Sequence, residues 1–384
     1  MIYKLAYFLL LTLVNAQNES LSLYEPSIIH EYTVKGHQGV PGTLICHRPL
    51  HFAFRALYHL SGGETRKDLE NRWNSKWPVH AYMSAFEWPK SWGFRTLLVK
   101  PMEITDSARE ALENVSELET MDFTKTQESV SEINERVQLL TSPMVDKVLK
   151  KRNLSQKTKM VSISAGVVEV YWKYPFASEN TGLELFNGHF GEQGEERVAM
   201  IPTMRQYGFN YTYAQLDDGE MLLMPLAGSD DVFFMILLSS VVYSSQDSKP
   251  VKFVMPKYGN IFDLIKKGSS RLVDVKLPKM KYSYSVDLVP KVLPKMSLNN
   301  LLNEDADFGN LSSTDDLRLS SMLHTSAIDL DERGINVAKN SFILNQDPNN
   351  NYEPFTEFHV NRPFFFAILD RHQVFLSGEF TGPQ

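Results

Sequence analysis

Cysteine is almost absent from this chain, since Cys46 is the only one among 384 residues. A single cysteine excludes any internal disulfide. A chain of this length can bury a sufficient apolar core without disulfides. We therefore expect Cys46 to be a buried and chemically inert thiol.

Long apolar runs and an excess of positive charge are also missing. The N-terminal apolar run extends only from Leu5 to Val14, too short for the roughly 20 residues that a bilayer requires. The formal net charge is −7, whereas nucleic-acid-binding proteins are usually basic overall. The sequence thus predicts neither a membrane span nor a nucleic-acid partner.

The motifs of common enzymes and metal sites are absent. There is no Gly-x-Ser-x-Gly, no His-Glu-x-x-His, no phosphate loop and no cysteine pair for zinc. His47 and His51 are four residues apart, but Pro49 lies between them and no third ligand is evident. One basic run could contact a polyanion but is more typical of a solvated face; it comprises Lys147, Lys150, Lys151, Arg152, Lys157 and Lys159. We predict no enzymatic activity, no metal site and no cofactor.

The N-terminus has the features of a secretory signal. Lys4 precedes the apolar run, and the small residues up to Ala16 precede a polar stretch that begins at Gln17. This pattern predicts a signal peptide over residues 1–16 and a secreted protein. The Asn-X-Ser/Thr sequons suit an extracellular glycoprotein; they begin at Asn18, Asn114, Asn153, Asn210 and Asn310.

Helix and strand patterns are mixed without a strict βαβ rhythm, which favours an α+β fold. Apolar residues at three- and four-residue steps from Val130 to Leu140, followed by Pro143, predict a helix. The runs Val161 to Trp172 and Asp231 to Val242 predict buried strands. No linker, repeat or low-complexity segment divides the chain, so residues 17–384 are predicted to form a single domain.

The end of the chain carries the strongest strand pattern. Aromatic and apolar residues fill Phe364 to Ile368 and recur from Val374 to Gly378, with the polar turn Asp370 to Gln373 between them. This arrangement predicts a hairpin of two buried strands.

The C-terminal block resembles the signature of the serpin family. The matching positions are Phe358, Val360, Asn361, Arg362, Pro363, Phe364, Phe365, Phe366, Ile368, Phe375, Gly378 and Pro383. Upstream residues resemble other family landmarks in the same order: Ile133, Asn134, Trp172, Pro175, Phe176, Thr181, Phe186, Met204, Asn210, Pro225, Pro278, Lys279, Asp307 and Phe308. The resemblance implies a serpin fold, with three β-sheets surrounded by about nine α-helices. It also implies an exposed bait loop, here residues 331–357, that extracellular serine proteases cleave.

Inhibitory members of the family trap a protease when the cut loop inserts into the main sheet as a new strand. Their hinge pattern is Glu-x-Gly, then Thr or Ser, then a run of small residues. The hinge residues matched here are Glu332, Gly334, Ile335, Val337, Ala338 and Lys339. Glu332 and Gly334 follow the pattern, but Ala338 alone remains of the small-residue run.

Side chains alternate in an inserted strand, so either of two faces could turn inward. One face would bury Lys339 without an obvious partner, which costs several kcal/mol. The other would bury Asn336 and Asn340, each at about 1–3 kcal/mol if unpaired. The bulky Ile335 and Val337 are also expected to obstruct the first step of insertion.

The resemblance further implies a polar cluster that controls the opening of the main sheet. His324 is present in it, whereas His51 and Ser164 stand where the family has a serine and an asparagine. We therefore expect this cluster, His51, Ser164 and His324, to be only partly rebuilt.

The scissile bond has two candidate positions. Counting forward from Gly334 places it near Pro348-Asn349, and counting back from Arg362 places it near Tyr352-Glu353. No Lys or Arg lies between Asn340 and Arg362, which favours a chymotrypsin-like protease over a trypsin-like one.

The sequence as a whole predicts a secreted, monomeric, non-enzymatic homologue of serine-protease inhibitors whose trapping is weak or absent. Two alternatives stay open. One is a competent inhibitor of a chymotrypsin-like protease, and the other is a non-inhibitory carrier or signalling protein on the same scaffold.

Overall fold

The computed structural model describes most of the chain. The described residues are 42–72, 90–141, 143, 145, 147–189, 196–217, 219–240, 261–313, 316–338, 355–371 and 373–383. Several predicted features lie outside them: the signal peptide 1–16, Asn18, Lys339, Pro348, Asn349, Tyr352 and Glu353.

Six α-helices occur in the described part of the chain. They are α1 His47–Leu60, α2 Gly63–Arg72, α3 Asp106–Leu112, α4 Thr126–Leu140, α5 Ile261–Lys266 and α6 Val292–Lys295. Three short 3-10 helices are Lys151–Asn153, Ser178–Asn180 and Asn299–Leu301. Helix α4 ends before Pro143, as predicted, and buries Ile133 and Val137. None of the helices described is long and apolar enough to cross a membrane.

The strands are β1 Gly42–Cys46, β2 Lys90–Val99, β3 Glu117–Thr120, β4 Met160–Tyr171, β5 Gly182–His189, β6 Glu196–Leu216, β7 Gly219–Pro225, β8 Phe233–Ser239, β9 Ser269–Pro278, β10 Met280–Asp287, β11 Leu319–Leu330, β12 Gly334–Ile335, β13 Thr356–His359, β14 Phe364–Leu369 and β15 Val374–Phe380. Strands β4 and β8 match the two buried runs, and β14 with β15 match the C-terminal hairpin. The mixture of sheets and helices confirms the α+β class.

The strands form two hydrogen-bonded sheets. The nine-stranded sheet has the order β1-β15-β14-β8-β7-β6-β9-β13, with β5 paired to β6. The six-stranded sheet has the order β10-β11-β12-β4-β2-β3, with an additional pairing of β11 with β4. The family resemblance implies three sheets, and two of these are joined here into the nine-stranded sheet. Strand β6 joins them, because it pairs with β5 in its first half and with β7 in its second. Between these halves, a register shift at Gln206 to Phe209 includes Gly208 at φ 83°, and such a bulge bends a strand.

Two apolar cores hold the six-stranded sheet in place. Between the two sheets lies a core that includes Phe364, Phe366 and Val170, and between the six-stranded sheet and α4 lies a second core that includes Ile133 and Val167. Burial of these side chains from water is the main force that holds the layers together.

The start of α1 lies directly beneath β4. A Cβ placed on Gly166 would come within 2.7 Å of both Cys46 Sγ and Pro49 Cγ, so only glycine allows this contact. Cys46 is buried, as predicted, and burial raises the pKa of its thiol to about 12.

Candidate functional site

The hinge lies within the six-stranded sheet, between the C-terminal ends of β4 and β11, which we call the upper end of the sheet. Ile335 in β12 pairs with Leu330 of β11 and with Val170 of β4, antiparallel to both. Its side chain is fully buried in the apolar core between the sheets. Apolar neighbours thus accommodate Ile335 at the first inserted position, and the obstruction expected from its bulk stays a prediction.

Gly334 fits the hinge because the backbones approach closely there. A Cβ on this residue would lie 2.1 Å from the Val170 carbonyl oxygen. The match of Gly334 to the family pattern thus has a physical reason at this position.

Below the hinge, β4 and β11 are paired directly to each other. They run parallel, from Met160 beside Leu319 to Gly166 beside Ser326. Above this last pair the strands separate and β12 lies between them. We call this point the fork.

Asn336 lies in the fork. Its φ of 56° is left-handed, a conformation that asparagine tolerates better than most residues. Its backbone N–H donates to Asp329 O at 2.7 Å, and its side-chain Oδ1 accepts from the Asp329 N–H at 2.8 Å. Its Nδ2 donates to Val168 O on β4 at 2.8 Å and to Ala327 O on β11 at 3.3 Å. One side chain thus joins the two separated strands.

An ion pair fixes the residue that begins the hinge. The Glu332 carboxylate accepts from Lys279 Nζ at 2.8 Å and from Thr181 Oγ1 at 2.8 Å. Burial acts to raise the pKa of this carboxyl, but the bonds from Lys279, the Glu332 backbone and Thr181 lower it below its ordinary value. The carboxylate is therefore charged at neutral pH.

Backbone bonds hold the same segment against the end of β4. The Trp172 N–H donates to Arg333 O at 2.9 Å, and the indole Nε1 donates to Asp331 O at 2.9 Å. Arg333 pairs with Asp331 and also donates to Ala338 O at 2.6 Å. The base of the loop is thus tied down as far as Ala338.

The loop re-enters the described structure at Phe355. The Phe355 ring lies 6.2 Å from the Tyr207 ring of β6, and β13 then pairs in parallel with β9. The two anchored ends of the loop therefore belong to different sheets. The residues between them include both candidate scissile bonds and lie outside the described residues.

Of the predicted polar cluster, the structure joins two members. His324 Nδ1 lies 2.9 Å from Ser164 Oγ, and His324 Nε2 accepts from the Cys46 backbone N–H at 3.1 Å. The imidazole is therefore neutral with its proton on Nδ1, and burial lowers its pKa to about 3. The third predicted member, His51, lies on α1 with its ring edge-on to Phe52 at 6.3 Å, and its membership of the cluster stays a prediction.

The described sequons differ in the freedom of the atom that would carry a sugar. Asn114 and Asn210 are exposed and Asn153 is half-buried. Asn310 is exposed as well, but its Nδ2 donates to Ser61 O at 2.9 Å. Within the described ranges, no group of three or more His, Cys, Asp or Glu side chains is arranged to hold a metal ion.

Comparison with known proteins places this arrangement in a family. The profile described as Serpin (serine protease inhibitor) matches residues 102–383. Human Serpin B3 is 27% identical over 273 residues, which cover 69% of this chain and 67% of that protein. Chicken neuroserpin is 26% identical over 266 residues, which cover 67% of this chain and 61% of that protein. The aligned part thus spans roughly two thirds of these relatives.

Solved structures share the fold. Serpin48 of the insect Tenebrio molitor superposes with a TM-score of 0.77 at 19% identity, covering 96% of this chain and 98% of that chain. Human thyroxine-binding globulin superposes with a TM-score of 0.78 at 16% identity, covering 96% of this chain and 99% of that chain. Serpin48 is described as a highly specific serpin, and the thyroxine-binding globulin was solved in complex with thyroxine.

Proposed function

The chain belongs to the serpin family, and from that premise we propose that it is a secreted protein that offers the loop of residues 331–357 as bait to an extracellular serine protease without trapping it efficiently. Members of this family inhibit proteases or serve as non-inhibitory proteins, and neither role is enzymatic. We therefore infer that this chain has no catalytic activity. One observation carries the prediction of weak trapping: the register of Ile335 in the six-stranded sheet.

This register determines which face of the hinge would turn inward. Ile335 lies opposite Val170 and Leu330, which face the core between the sheets. Residues directly opposite each other in an antiparallel pair share a face. Continued insertion would therefore direct residues 337, 339, 341 and 343 toward that core.

The same register gives the position that Lys339 would occupy. Four residues beyond Ile335, it would lie between Gly166 and Ser326, which are already partners in the closed sheet. On this face Gly166 is packed against Cys46 and Pro49. An ammonium group would thus enter a buried site, and we infer a cost of several kcal/mol against full insertion.

The cost of burying Lys339 therefore favours a loop that a protease can cut but that does not insert fully into the sheet. We expect chymotrypsin to cleave the intact protein between Phe342 and Phe358. No covalent complex should survive SDS electrophoresis, and the melting temperature of the cleaved protein should not rise, because no strand has been added to the sheet.

Replacement of Lys339 by an uncharged residue should change this result. We expect Lys339→Ala to raise the melting temperature on cleavage, whereas Lys339→Arg, which keeps the charge, should behave as the natural protein does. An SDS-resistant complex of the natural protein with chymotrypsin would contradict weak trapping. The absence of any cut between Phe342 and Phe358 would contradict the bait-loop function itself.

A further inference from the structure

The side chain of Asn336 makes the hydrogen bonds that an advancing strand would otherwise make. Its Oδ1 accepts from the Asp329 N–H, and its Nδ2 donates to Val168 O and Ala327 O. These three backbone groups belong to β4 and β11, at the level where the strands have already separated.

The pairing rules of an antiparallel sheet show what those groups would bind next. Continued from Ile335, residue 337 would lie opposite Val168 and residue 338 opposite Ala327. The N–H and C=O of one strand residue point to the same neighbour, and successive residues alternate between neighbours. The Asn336 N–H already points to Asp329 O on β11. The backbone N–H and C=O of residue 337 would then bond to β4, and those of residue 338 would bond to β11.

Each of the three groups therefore has a substitute partner in the fork. The N–H of residue 337 would donate to Val168 O, the N–H of residue 338 to Ala327 O, and the Asp329 N–H to the carbonyl of residue 336. All three places are occupied by the amide of Asn336. Val168 and Ala327 thus have carbonyls that are satisfied without insertion.

We propose that Asn336 is a positioning residue that halts strand insertion at Ile335. Its side-chain amide makes the hydrogen bonds that the backbone of residues 336–338 would make in an inserted strand. Further insertion therefore replaces existing hydrogen bonds and adds no new ones to these groups. Its left-handed backbone would also have to become extended before Val337 could enter. This role rests on the proposed function, because insertion is the step that Asn336 limits.

The test begins with the intact protein. Asn336→Gly keeps access to a left-handed backbone but removes the amide. We expect hydrogen exchange of the Asp329 N–H to accelerate about tenfold or more. The amide of Leu98, which lies on β2 and is paired with β4, is the internal control and should keep its rate.

The second measurement uses the cleaved protein in the Lys339→Ala background. We expect Asn336→Gly to add a further rise of a few degrees in melting temperature on cleavage. Purely structural damage would lower the melting temperature of intact and cleaved forms alike. Should Asn336→Gly unfold the protein, Asn336→Asp makes the same comparison, since a carboxylate accepts from Asp329 but cannot donate to the two carbonyls.

The outcomes separate this role from the bait-loop function. Unchanged exchange at Asp329, or an equal rise in melting temperature with and without the amide, would overturn the role of Asn336. If chymotrypsin cuts the loop in none of the variants, the bait-loop function fails, and exchange in the intact protein still decides the role of Asn336.

Discussion

Two buried titratable side chains make the stability of the protein depend on pH in opposite directions. Burial lowers the pKa of His324 to about 3 and raises the pKa of the Glu379 carboxyl to about 7. As pH falls below the ordinary value for histidine, the unfolded chain gains a proton that folded His324 does not accept. As pH rises through the window between the ordinary value for glutamate and about 7, the unfolded chain loses a proton that folded Glu379 retains. Stability is therefore lost on both sides of mildly acidic pH.

Replacement of Glu379 tests this dependence. We expect Glu379→Gln to raise the free energy of unfolding by about 3 kcal/mol at pH 8, because it removes the cost of ionising a buried carboxyl. At pH 4 the two proteins should differ little. Urea unfolding at both pH values measures the difference, with Glu110→Gln on the exposed surface of α3 as the control. Equal effects at the two pH values would contradict a titration of Glu379.

The partners of such residues could be predicted only in part. The sequence pointed to His324 and Ser164 through the family pattern, and the structure joins them. The other ring nitrogen of His324 bonds to the backbone of Cys46, 278 residues away. A backbone N–H carries no residue type, so no sequence pattern could have indicated it.

At the scale of elements, α4 is fastened to the edge of the six-stranded sheet by Arg136. Its guanidinium donates to both Glu119 carboxylate oxygens at 2.8 Å and to Glu117 at 2.6 Å. It also lies 5.5 Å from the centre of the Phe94 ring. Because Glu117 and Glu119 belong to β3, this group joins the helix to the last strand of the sheet that receives the hinge.

Removal of this contact should loosen α4. We expect Arg136→Ala to lower the free energy of unfolding by about 1–2 kcal/mol, since a bidentate, half-buried ion pair is lost. The control is Lys67→Ala, whose fully exposed pair with Glu64 should contribute almost nothing measurable, because water and salt screen it. Urea unfolding followed by circular dichroism gives both values, and equal losses in the two variants would contradict a special role for Arg136.

The elements that could be predicted are those with long apolar patterns. Helix α4, strands β4 and β8 and the C-terminal hairpin follow from periodicity and β-branched content. Strand β12 could not be predicted, because two residues carry no periodicity and their pairing depends on the separation of β4 from β11. For the same reason, the sequence left open which face of the hinge turns inward, and the register of Ile335 was needed to choose.

At the scale of the whole molecule, the proposed secretion should leave a defined pattern of modification. We expect the mature chain to begin at Gln17 and to carry glycans at Asn114 and Asn210, whose side chains are exposed. Asn310 should carry none, because its Nδ2 bonds to Ser61 O and the third residue of its sequon, Ser312, is buried. Mass spectrometry of the protein secreted by eukaryotic cells tests each site. A glycan on every copy of Asn310, or a secreted chain that still begins at Met1, would contradict these expectations.

The position of the C-terminal hairpin also determines when the molecule can finish folding. Strand β14 lies between β8 and β15, and β1 pairs with β15, so Gly42 near one end lies opposite Phe380 near the other. A ribosome that still holds residues 364–380 in its exit tunnel withholds β14 and β15 from the nine-stranded sheet. The sheet can therefore close only after these residues have left the tunnel. A premature stop codon before β14 would remove two neighbouring strands from the sheet, leaving β1 and β8 with unpaired edges that invite aggregation.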